Sequence, residues 1–421
     1  MFLIGNINHK HLWALFLGMI LLVIEVVGCI YLNKTNSFLD RIHTKTEIEA
    51  YKVVVLNSLD ATVSDLKEIG ILKNTDDGYT KAVEEIEEKI NKTVTFDDVS
   101  SLTSALLMEK IPAILIDNAT DTVLRENDTR YASNTKSIYD YEITVKTNVK
   151  EKNMDITKNT FSIYISGVDT YNKIATKTRS DVNIVMTVNP KNHEVLLTNI
   201  QRDMQVQLHG TTGIKDKLTH AGIYGIDMSR QTIEDFLDTK IPYYIRVNFD
   251  SLVKVVDTID GVDIDNDIAF KGYTRNFEVG KLHLNGKEAL EYARERKKMP
   301  SGDYTRGLHQ EKIIEAIINK VTTSKKILNS YSKFTSVLDE FIQTNIPSST
   351  IKAYVKEQID TMPSWTVISR AVDSNGSALV ETYSMPGMNL YVAFPDENSV
   401  KTASTIINGM LENKKYDTIN K

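Results

Sequence analysis

The sequence predicts an α/β protein with a mixed central sheet covered by helices on both faces, a smaller α/β accessory domain and one N-terminal transmembrane helix. Three observations support this fold class. Strand and helix patterns alternate from Phe161 onward, which is typical of a sheet with helical layers. A shorter set of strand and helix patterns precedes Phe161. Residues 12–32 are almost entirely apolar.

The length and composition limit the class of protein. A chain of 421 residues is longer than one ordinary domain. With 41% hydrophobic and 25% charged residues, the chain does not have the composition of a disordered protein. The net charge of -6 argues against a dedicated nucleic-acid-binding protein, so we expect no nucleic-acid partner. The single cysteine, Cys29, excludes an intrachain disulfide.

The apolar stretch near the N-terminus is long enough to cross a hydrocarbon core of about 30 Å. We therefore expect residues 1–10 to be a cytoplasmic tail and residues 11–33 to be a transmembrane helix. The bulk of the chain then lies outside the cell membrane as a single-pass protein in contact with membrane lipid. The alternative is a cleaved lipoprotein signal, because "VVGC" ending at Cys29 resembles a lipobox.

The segment 34–150 is predicted to form a stalk and the accessory domain. Helical spacing with few breakers over 37–70 predicts a helical stalk. The stretch after Asp76 predicts a turn and a charged helix, "SSLTSALLMEKI" predicts another helix, and the run after Pro112 predicts a buried strand. The polar run 144–160 contains the linker, which we place at 151–160, and the main domain spans 161–421.

The main domain begins with strand patterns and continues with mixed ones. "FSIYISGVD", "SDVNIVMTVNP" and "HEVLLTNIQRD" predict three strands. "TIEDFLDTKI", "NGKEALEYARER" and "HQEKIIEAIINKV" predict helices, and "WTVISRAV", "ALVETYSM" and "NLYVAF" predict strands closed by the helix "SVKTASTIINGML". We therefore expect one sheet between two helical layers.

Charged side chains stand at the ends of the first three predicted strands. Asp169 follows the first strand, Asp181 opens the second, and the adjacent Arg202 and Asp203 close the third. In open α/β sheets, ligand sites gather at strand ends. Taken singly, such an Asp is more often a turn former, and an adjacent Arg-Asp pair is more often a solvated ion pair.

Further cations follow in the "RERKK" and "GDYTRGLHQ" segments. Arg294 and Arg296 stand two residues apart, so in an extended segment both point to one face. Arg306 and Gln310 stand four apart and share a face if a helix begins there. Arginine forks match phosphate oxygens, and an aspartate pair can hold a divalent cation that also touches phosphate. The combination predicts a pyrophosphate site.

The same segments carry a resemblance to a known family. "ISGVDTYNKIATKTRSDVNIVMTVNP", "LLTNIQRD", "KLTHA", "YYIRVNFDSLVKVVDTIDGVDID", "LNGKEALEYARERK" and "GDYTRGLHQEKII" occur in the order and spacing of the LytR-CpsA-Psr family. The resemblance covers about residues 161–325. The upstream domain and the single span are most similar to the capsule-associated members, which carry an extracytoplasmic accessory domain.

The resemblance implies a membrane-anchored, Mg²⁺-dependent phosphotransferase, with Mn²⁺ as the alternative metal. It would move a glycopolymer from undecaprenyl pyrophosphate to peptidoglycan through a phosphodiester. The polymer would be capsular polysaccharide or exopolysaccharide, with a teichoic acid-like polymer as a variant. Two alternatives stay open: a polyprenyl-pyrophosphate phosphatase, and a non-catalytic membrane regulator of polysaccharide synthesis.

On the matching positions the resemblance implies a metal site, a catalytic pair and a pyrophosphate site. The metal site would be Asp169 and Asp181, the catalytic pair Arg202 and Asp181, and the pyrophosphate site Arg202, Arg294, Arg296, Arg306, Gln310 and Lys217. His309 stands where arginine is frequent in the family, so a positive charge there is expected to depend on pH.

Overall fold

The computed structural model describes residues 46–73, 76–146, 155–156, 158–168, 174–324 and 342–419. The predicted transmembrane helix and Cys29 lie outside these residues. Within them, no helix combines the length and the apolar character that crossing a bilayer demands.

The first part of the described chain forms a five-stranded sheet with the strand order β3-β2-β4-β1-β5. Strand β1 is antiparallel to β4 and β5, and β2 is parallel to β3. The strands are β1 (Thr46–Leu56), β2 (Ile69–Leu72), β3 (Thr93–Phe96), β4 (Ala113–Asp117) and β5 (Thr135–Lys146), and the helices are α1 (Asp77–Glu87), α2 (Val99–Leu107), α3 (Asn118–Asn127) and α4 (Thr129–Asn134).

Helices cover both faces of this sheet because adjacent residues of β1 point to opposite sides. Val53 packs with Tyr79 and Ile86 of α1. Val54 packs on the other face with Leu102 of α2, in a core that also holds residues of α3. We call this unit, residues 46–146, the accessory module.

The prediction of a helical stalk over 37–70 is wrong for residues 46–70, the part of this range that the structure describes. These residues contain β1 and the start of β2. Buried and less buried residues alternate along "TEIEAYKVVVL", which is the period of a strand. The run of valines, whose branched side chains favour strands, reinforces that period. The start of the polar run 144–160 also belongs to a strand, since residues 144–146 of β5 pair with β1.

The main domain is built on a six-stranded sheet with the strand order β16-β11-β6-β7-β8-β17. The strands are β6 (Phe161–Val168), β7 (Ser180–Asn189), β8 (Glu194–Ile200), β9 (Gln205–Val206), β10 (Asp216–Lys217), β11 (Tyr243–Asn248), β12 (Val262–Asn266), β13 (Phe270–Lys271), β14 (Asn276–Phe277), β15 (Gly280–Leu284), β16 (Ile342–Thr344), β17 (Thr366–Val372), β18 (Ser374–Thr382) and β19 (Met385–Pro395). The helices are a 3₁₀ helix (Leu218–Tyr224), α5 (Ile226–Leu237), α6 (Phe249–Thr258), α7 (Gly286–Arg294), α8 (Asp303–Thr323), α9 (Ser348–Thr361), α10 (Glu397–Leu411) and α11 (Tyr416–Ile419).

Both faces of this sheet are covered by helices, which confirms the prediction. Tyr164 of β6 points into a core with Ile233 of α5 and Ile406 of α10. Its neighbour Ile163 points to the opposite face, against a core that α8 and α9 join through Ile314 and other side chains. The sheet is mixed, since β6 is parallel to β11 and antiparallel to β7.

The accessory module and the main domain share packed and buried polar contacts. Met385 and Leu390 of the β18–β19 hairpin lie in the accessory core with Leu102. Glu47 of β1 pairs with Arg246 of β11 at 2.8 Å, and both side chains are buried. These contacts hold the two units in one orientation.

Four chain segments reach the same edge of the central sheet. β6 and β8 end there at Val168 and Ile200, and the antiparallel β7 begins there at Ser180. β17, parallel to β8, ends there at Val372. The residues that follow or open these strands therefore meet at one place.

Candidate functional site

A cleft of about 1880 Å³ lies at this edge of the sheet. Its walls come from the strand ends, the segment between α7 and α8, the β18–β19 hairpin and the end of α3. The structure brings seven of the predicted site residues to this cleft: Asp181, Arg202, Lys217, Arg294, Arg296, Arg306 and Gln310. Asp169 lies outside the described residues.

Asp181 and Arg202 form the central contact of the cleft. Arg202 donates from Nη1 to Oδ1 of Asp181 at 3.0 Å, and the hydroxyl of Thr219 donates to the same oxygen at 3.0 Å. Burial raises the pKa of Asp181, but Arg202, Arg179 and Arg306 together hold it below its usual value. Asp181 is therefore a carboxylate at neutral pH.

The second carboxylate, Asp203, links Arg202 to Lys217. Lys217 donates from Nζ to Oδ1 of Asp203 at 3.1 Å, and Oδ2 lies 3.6 Å from Nε of Arg202. That separation is too long for a hydrogen bond, and the buried Nε has no hydrogen-bond partner among the described residues. Burial lowers the pKa of Arg202, but Asp181, Asp203 and Asp303 raise it above its usual value, so the guanidinium stays charged.

The segment between α7 and α8 differs from the sequence prediction in one respect. Arg294 is the last residue of α7 and is not part of an extended segment, while Arg296 follows in the loop. Asn285 and Glu288 form a capping box that starts this helix, and buried Ala289 and Tyr292 fix its inner face. The guanidinium of Arg294 lies 3.9 Å from the ring centre of Phe249, a cation–π contact at the cleft.

Arg306 and Gln310 share one face of α8, as predicted from their spacing. Arg306 pairs with Asp303, the first residue of the helix, and Gln310 donates to the carbonyl of Ala293 at 3.3 Å. Burial raises the pKa of Asp303, and this rise exceeds the opposite effect of Arg306. Asp303 is thus a third carboxyl group beside the predicted cations.

Gly307 explains how α8 comes so close to the sheet edge. A Cβ at this position would lie 2.6 Å from Oδ1 of Asn199 in β8, closer than real Cβ atoms approach a neighbour. The absence of a side chain therefore lets the first turns of α8 press against the strand end. This contact sets the height of Arg306 above the sheet.

His309 does not supply a charge to the cleft. The side chain is buried, its ring stacks on Tyr292 at 4.1 Å, and Nδ1 lies 3.2 Å from the carbonyl oxygen of Tyr292. Burial lowers its pKa below the usual value, so the ring is neutral at physiological pH. The expectation of a pH-dependent charge at this place is wrong because the residue faces the core of the α7–α8 region.

Sequence reasoning missed two residues of the cleft wall, Arg179 and Glu126. Arg179 donates from Nη1 and Nη2 to the carboxylate of Glu126 at 2.6 and 2.8 Å. Arg179 stands two residues before Asp181, a spacing that places both on one side of an extended chain and could have indicated it. Glu126 lies in the accessory module, and its own segment carries no signal for this contact.

The carboxylates that the structure describes do not form a closed metal cage. Among the described residues, no group of three His, Cys, Asp or Glu side chains is arranged to hold an ion. Mg²⁺ is commonly held by one or two carboxylates together with water and substrate phosphate. Asp181 is an ionised carboxylate on the cleft wall and is suited to be one of the carboxylates of such a site.

The fold and the cleft define a three-layered α/β protein with an arginine-rich cleft at one edge of its sheet. The LytR_cpsA_psr family model matches residues 126–405, and this chain belongs to that family. The predicted family is thus confirmed.

The related proteins align with part of this chain. The polyisoprenyl-teichoic acid–peptidoglycan teichoic acid transferase TagU of Bacillus cereus is 38% identical over 186 residues, which are 44% of this chain and 60% of that protein. The Bacillus subtilis protein of the same name is 36% identical over 48% of this chain and 65% of its own length. The chain therefore covers less than two thirds of the length of these relatives. The crystal structure of B. subtilis TagV superposes with a TM-score of 0.52 and 30% identity, over 61% of this chain and 99% of that one.

Proposed function

We propose that this protein is a membrane-anchored phosphotransferase that moves a glycopolymer from undecaprenyl pyrophosphate to peptidoglycan. The observation that carries the proposal is the meeting of Arg202, Arg306 and Lys217 with Asp181 in one cleft, beside Arg294 and Arg296. Arginine side chains bind phosphate oxygens through paired donors, so such a cluster fits two linked phosphates. The naming of the matched relatives as teichoic acid–peptidoglycan transferases supports the same class of reaction.

The reaction joins a hydroxyl oxygen of the acceptor to the phosphorus atom that carries the sugar polymer. The bond from that phosphorus to the bridging oxygen breaks, polyprenyl phosphate leaves, and the hydroxyl proton is released. Arg202, which donates to Asp181 in the cleft, is the residue proposed to meet charge that develops on the transferred phosphoryl group. Arg306, Gln310, Arg294, Arg296 and Lys217 line the cleft where the remaining phosphate oxygens would lie.

Asp169 and Asp181 are the proposed ligands of Mg²⁺, with Mn²⁺ as the alternative. When bound, the ion would neutralise charge on the phosphate oxygens. The residues of this chain then have to keep Asp181 ionised and oriented, which the hydrogen bonds from Arg202 and Thr219 achieve.

The donor polymer is proposed to be capsular polysaccharide or exopolysaccharide, with a teichoic acid-like polymer as the variant. The capsule-type assignment rests on the accessory module, which the resemblance associates with capsule members. The acceptor hydroxyl is assigned to peptidoglycan, following the names of the relatives.

The decisive experiment mixes the full chain in detergent with a polyprenyl-pyrophosphate sugar, peptidoglycan fragments and Mg²⁺, and analyses the products by mass. The full chain is required because Met385 and Leu390 pack in the accessory core. We expect a peptidoglycan fragment heavier by one phosphosugar, with polyprenyl phosphate released. Sugar phosphate free in solution would instead indicate the phosphatase alternative, and unchanged donor would favour the regulator.

The proposed metal site predicts that Asp181→Ala abolishes Mg²⁺-dependent turnover and leaves the fold intact. Asp181 is the second residue of β7, at the sheet edge, and is not part of the hydrophobic cores, so the packing of the sheet does not depend on it. Turnover across a Mg²⁺ titration and the circular dichroism spectrum are the measurements. Normal Mg²⁺-dependent activity of Asp181→Ala would refute the assignment.

The proposed location is the cell membrane, with a single span over residues 11–33 and the bulk of the chain outside. Protease added to intact, wall-stripped cells is expected to remove most of the chain. Complete protection would contradict this topology. Palmitate labelling that disappears with Cys29→Ala would favour the lipoprotein alternative.

A further inference from the structure

A short hairpin at the rim of the cleft presents a tyrosine to solvent. Its strands β13 and β14 pair through Phe270 and Phe277, whose ring centres stack 4.5 Å apart. The turn between the strands carries Tyr273, which lines the cleft and is 97% exposed, the most exposed large apolar side chain of the described chain. We call residues 270–277 the rim hairpin.

The turn that carries Tyr273 is held by several hydrogen bonds. Glu291 of α7 accepts from the backbone amides of Tyr273 and Thr274 and from the hydroxyl of Thr274. The amide of Gly272 donates to the carbonyl oxygen of Arg275 at 2.9 Å, which closes the turn. Burial raises the pKa of Glu291, but these hydrogen bonds hold it below its usual value, so the anchoring group is a carboxylate. The exposed ring therefore stands on a fixed backbone.

The chain around the rim hairpin is basic, although the whole protein is acidic. Residues 271–298 contain eight Lys and Arg against four Glu, a formal charge of +4 in a chain whose net charge is -6. Two of the eight cations, Arg294 and Arg296, belong to the proposed pyrophosphate site. The other six are Lys271, Arg275, Lys281, Lys287, Lys297 and Lys298.

One of these lysines lies directly beside the exposed ring. Nζ of Lys298 is 5.3 Å from the ring centre of Tyr273 and donates to the carbonyl oxygen of Lys271 at 2.5 Å. Lys297 and Lys298 are both exposed and line the cleft. The tip of the rim hairpin thus combines an aromatic ring with positive charge.

This combination fits the surface of a membrane that contains anionic lipid. Tyrosine is enriched at the level of the lipid headgroups, because its ring is apolar and its hydroxyl is polar. Lysines close to an anionic lipid surface are attracted to it. An uncharged glycan could also stack on the ring of Tyr273, but it would make no use of the excess of lysines.

The start of the described chain lies at the same edge of the central sheet as the cleft. The amide of Ile48 in β1 donates to the carbonyl oxygen of Ala175, and the amide of Lys177 donates back to Ile48. Ala175 and Lys177 belong to the segment that leads into β7 at the cleft edge. Residues 34–45 separate this point from the proposed span, and twelve residues reach at most about 40 Å. The proposed anchor therefore keeps the cleft edge near the membrane.

We propose that the rim hairpin docks on an anionic lipid surface, with Tyr273 at the level of the headgroups and the neighbouring lysines against lipid phosphates. Docking turns the mouth of the cleft toward the membrane, where the pyrophosphate of a polyprenyl donor lies. This inference rests on the proposed function, because a donor held in the membrane is what requires the cleft to face lipid.

The test uses the full chain with Cys29→Ser, reconstituted in lipid nanodiscs without any donor. A fluorescent label at Asn276→Cys reports on the rim hairpin and leaves Tyr273 in place. A label at Lys191→Cys is the matched control, because Lys191 is exposed in the turn between β7 and β8, at the opposite edge of the sheet. We expect spin-labelled lipid to quench the label at position 276 and not the label at position 191 in phosphatidylglycerol nanodiscs.

The aromatic ring is tested with the label at position 276. Tyr273→Ser is expected to reduce the quenching, because serine has no ring to place among the headgroups. Tyr273→Trp is expected to retain it, because tryptophan shares the preference of tyrosine for this level.

The positive charge is tested in the same way. Lys271→Gln with Lys297→Gln is expected to lower the ratio of docked to undocked protein about thirtyfold, the scale of two charges at an anionic surface. Lys81→Gln with Lys191→Gln removes the same charge from exposed positions on α1 and at the opposite sheet edge, and is expected to leave the ratio unchanged.

Equal quenching at positions 276 and 191, or equal quenching in phosphatidylglycerol and phosphatidylcholine nanodiscs, would overturn the inference. A label at position 276 that responds only to added peptidoglycan fragments would assign the rim hairpin to a glycan and overturn it as well. The proposed function fails by a different result, in which the rim hairpin docks but the wild-type protein transfers no phosphosugar to peptidoglycan fragments.

Discussion

At the scale of single residues, four cations of the cleft are each held by a carboxylate. Arg202 pairs with Asp181, Lys217 with Asp203, Arg306 with Asp303 and Arg179 with Glu126. Each pair orients a side chain that would otherwise sample many rotamers. A phosphate that enters the cleft therefore meets donors whose directions are already fixed, which is the condition for preorganised stabilisation of charge.

Arg202 is the residue whose replacement should slow the reaction most. We expect Arg202→Ala to lower kcat by about a hundredfold or more, the effect of removing one preorganised donor. Arg202→Lys should restore little, because an ammonium keeps the charge and loses the two-pronged geometry. The measurement is kcat and KM for transfer to peptidoglycan fragments.

Arg230→Ala is the matched control for Arg202→Ala. Arg230 is similarly buried and pairs with Asp227 and Glu234, but it lies on α5 and does not line the cleft. A rise in KM alone for Arg202→Ala would assign Arg202 to binding and move the catalytic role to Arg294 or Arg296.

Much of the residue set could be predicted because it depends on strand ends. Asp181 and Arg202 are brought together by the antiparallel pairing of neighbouring strands, which the sequence pattern indicates. Glu126 could not be predicted, because its partner stands 53 positions away in another unit and only the packing of the two units joins them. His309 was misjudged because nothing in its local sequence shows which face of α8 it occupies.

At the scale of single elements, α8 contacts the cleft with one face and the central sheet with another. One face carries Arg306 and Gln310 to the cleft. Another face carries Glu311 against the central sheet, where its side chain is buried and neither carboxylate oxygen makes a hydrogen bond with a described residue. Burial raises the pKa of Glu311 to about 9, although the backbone amides of Asn199 and Arg370 lie near enough to oppose the shift.

The buried Glu311 predicts a pH-dependent gain in stability for Glu311→Gln. A carboxyl group with a raised pKa must take up a proton on folding at pH values between its ordinary pKa of 4.5 and its raised pKa of about 9. The free energy of unfolding therefore keeps its full value below about pH 4.5. It falls as the pH rises toward 9, by up to about 1.4 kcal/mol per pH unit. Glutamine has no such requirement, so Glu311→Gln should raise Tm at pH 8 more than at pH 5.

Thermal melts at both pH values test this expectation. Glu357→Gln is the control, because Glu357 is an exposed residue of α9 and its replacement removes a charge without removing a buried carboxyl group. An equal change in Tm at pH 5 and pH 8 for Glu311→Gln would show that the carboxyl group is not held protonated.

Element boundaries show where sequence patterns mislead. The helical assignment of the stalk failed because apolar residues over 37–70 satisfy both a helical and a strand period. The strand forms because β1 pairs with β4 and β5, the nearer of which begins 57 positions after the end of β1. The predicted extended segment at Arg294 failed because the capping box and buried face of α7 extend the helix to that residue.

At the scale of the whole molecule, the accessory module and the main domain are joined by two different kinds of contact. The β18–β19 hairpin inserts Met385 and Leu390 into the accessory core. Arg246 and Glu47 form a buried ion pair, and removing one partner of such a pair typically costs about 3–5 kcal/mol. Neither unit has a complete core or a neutral interior without the other.

This arrangement predicts that the chain unfolds in one calorimetric transition. Leu390→Ala leaves a cavity in the shared core and should cost about 2–5 kcal/mol. It should lower the temperature of the whole transition without splitting it. Leu379→Ala, at a residue 69% exposed on the same hairpin, is the control and should change little. Two separate transitions, with only one moved by Leu390→Ala, would contradict the prediction.

The four ion pairs of the cleft also have a consequence for its behaviour in salt. A basic groove with unpaired arginines attracts mobile anions, and its affinity for phosphate falls as these anions accumulate. Here Asp181, Asp203, Asp303 and Glu126 already serve as fixed counter-ions. These carboxylates stay in place and offset part of the positive charge, so a single chloride or an isolated phosphodiester gains little by entering. Two adjacent phosphates that engage several cations at once gain most, and ionic strength matters less to their binding than to binding in an open basic groove.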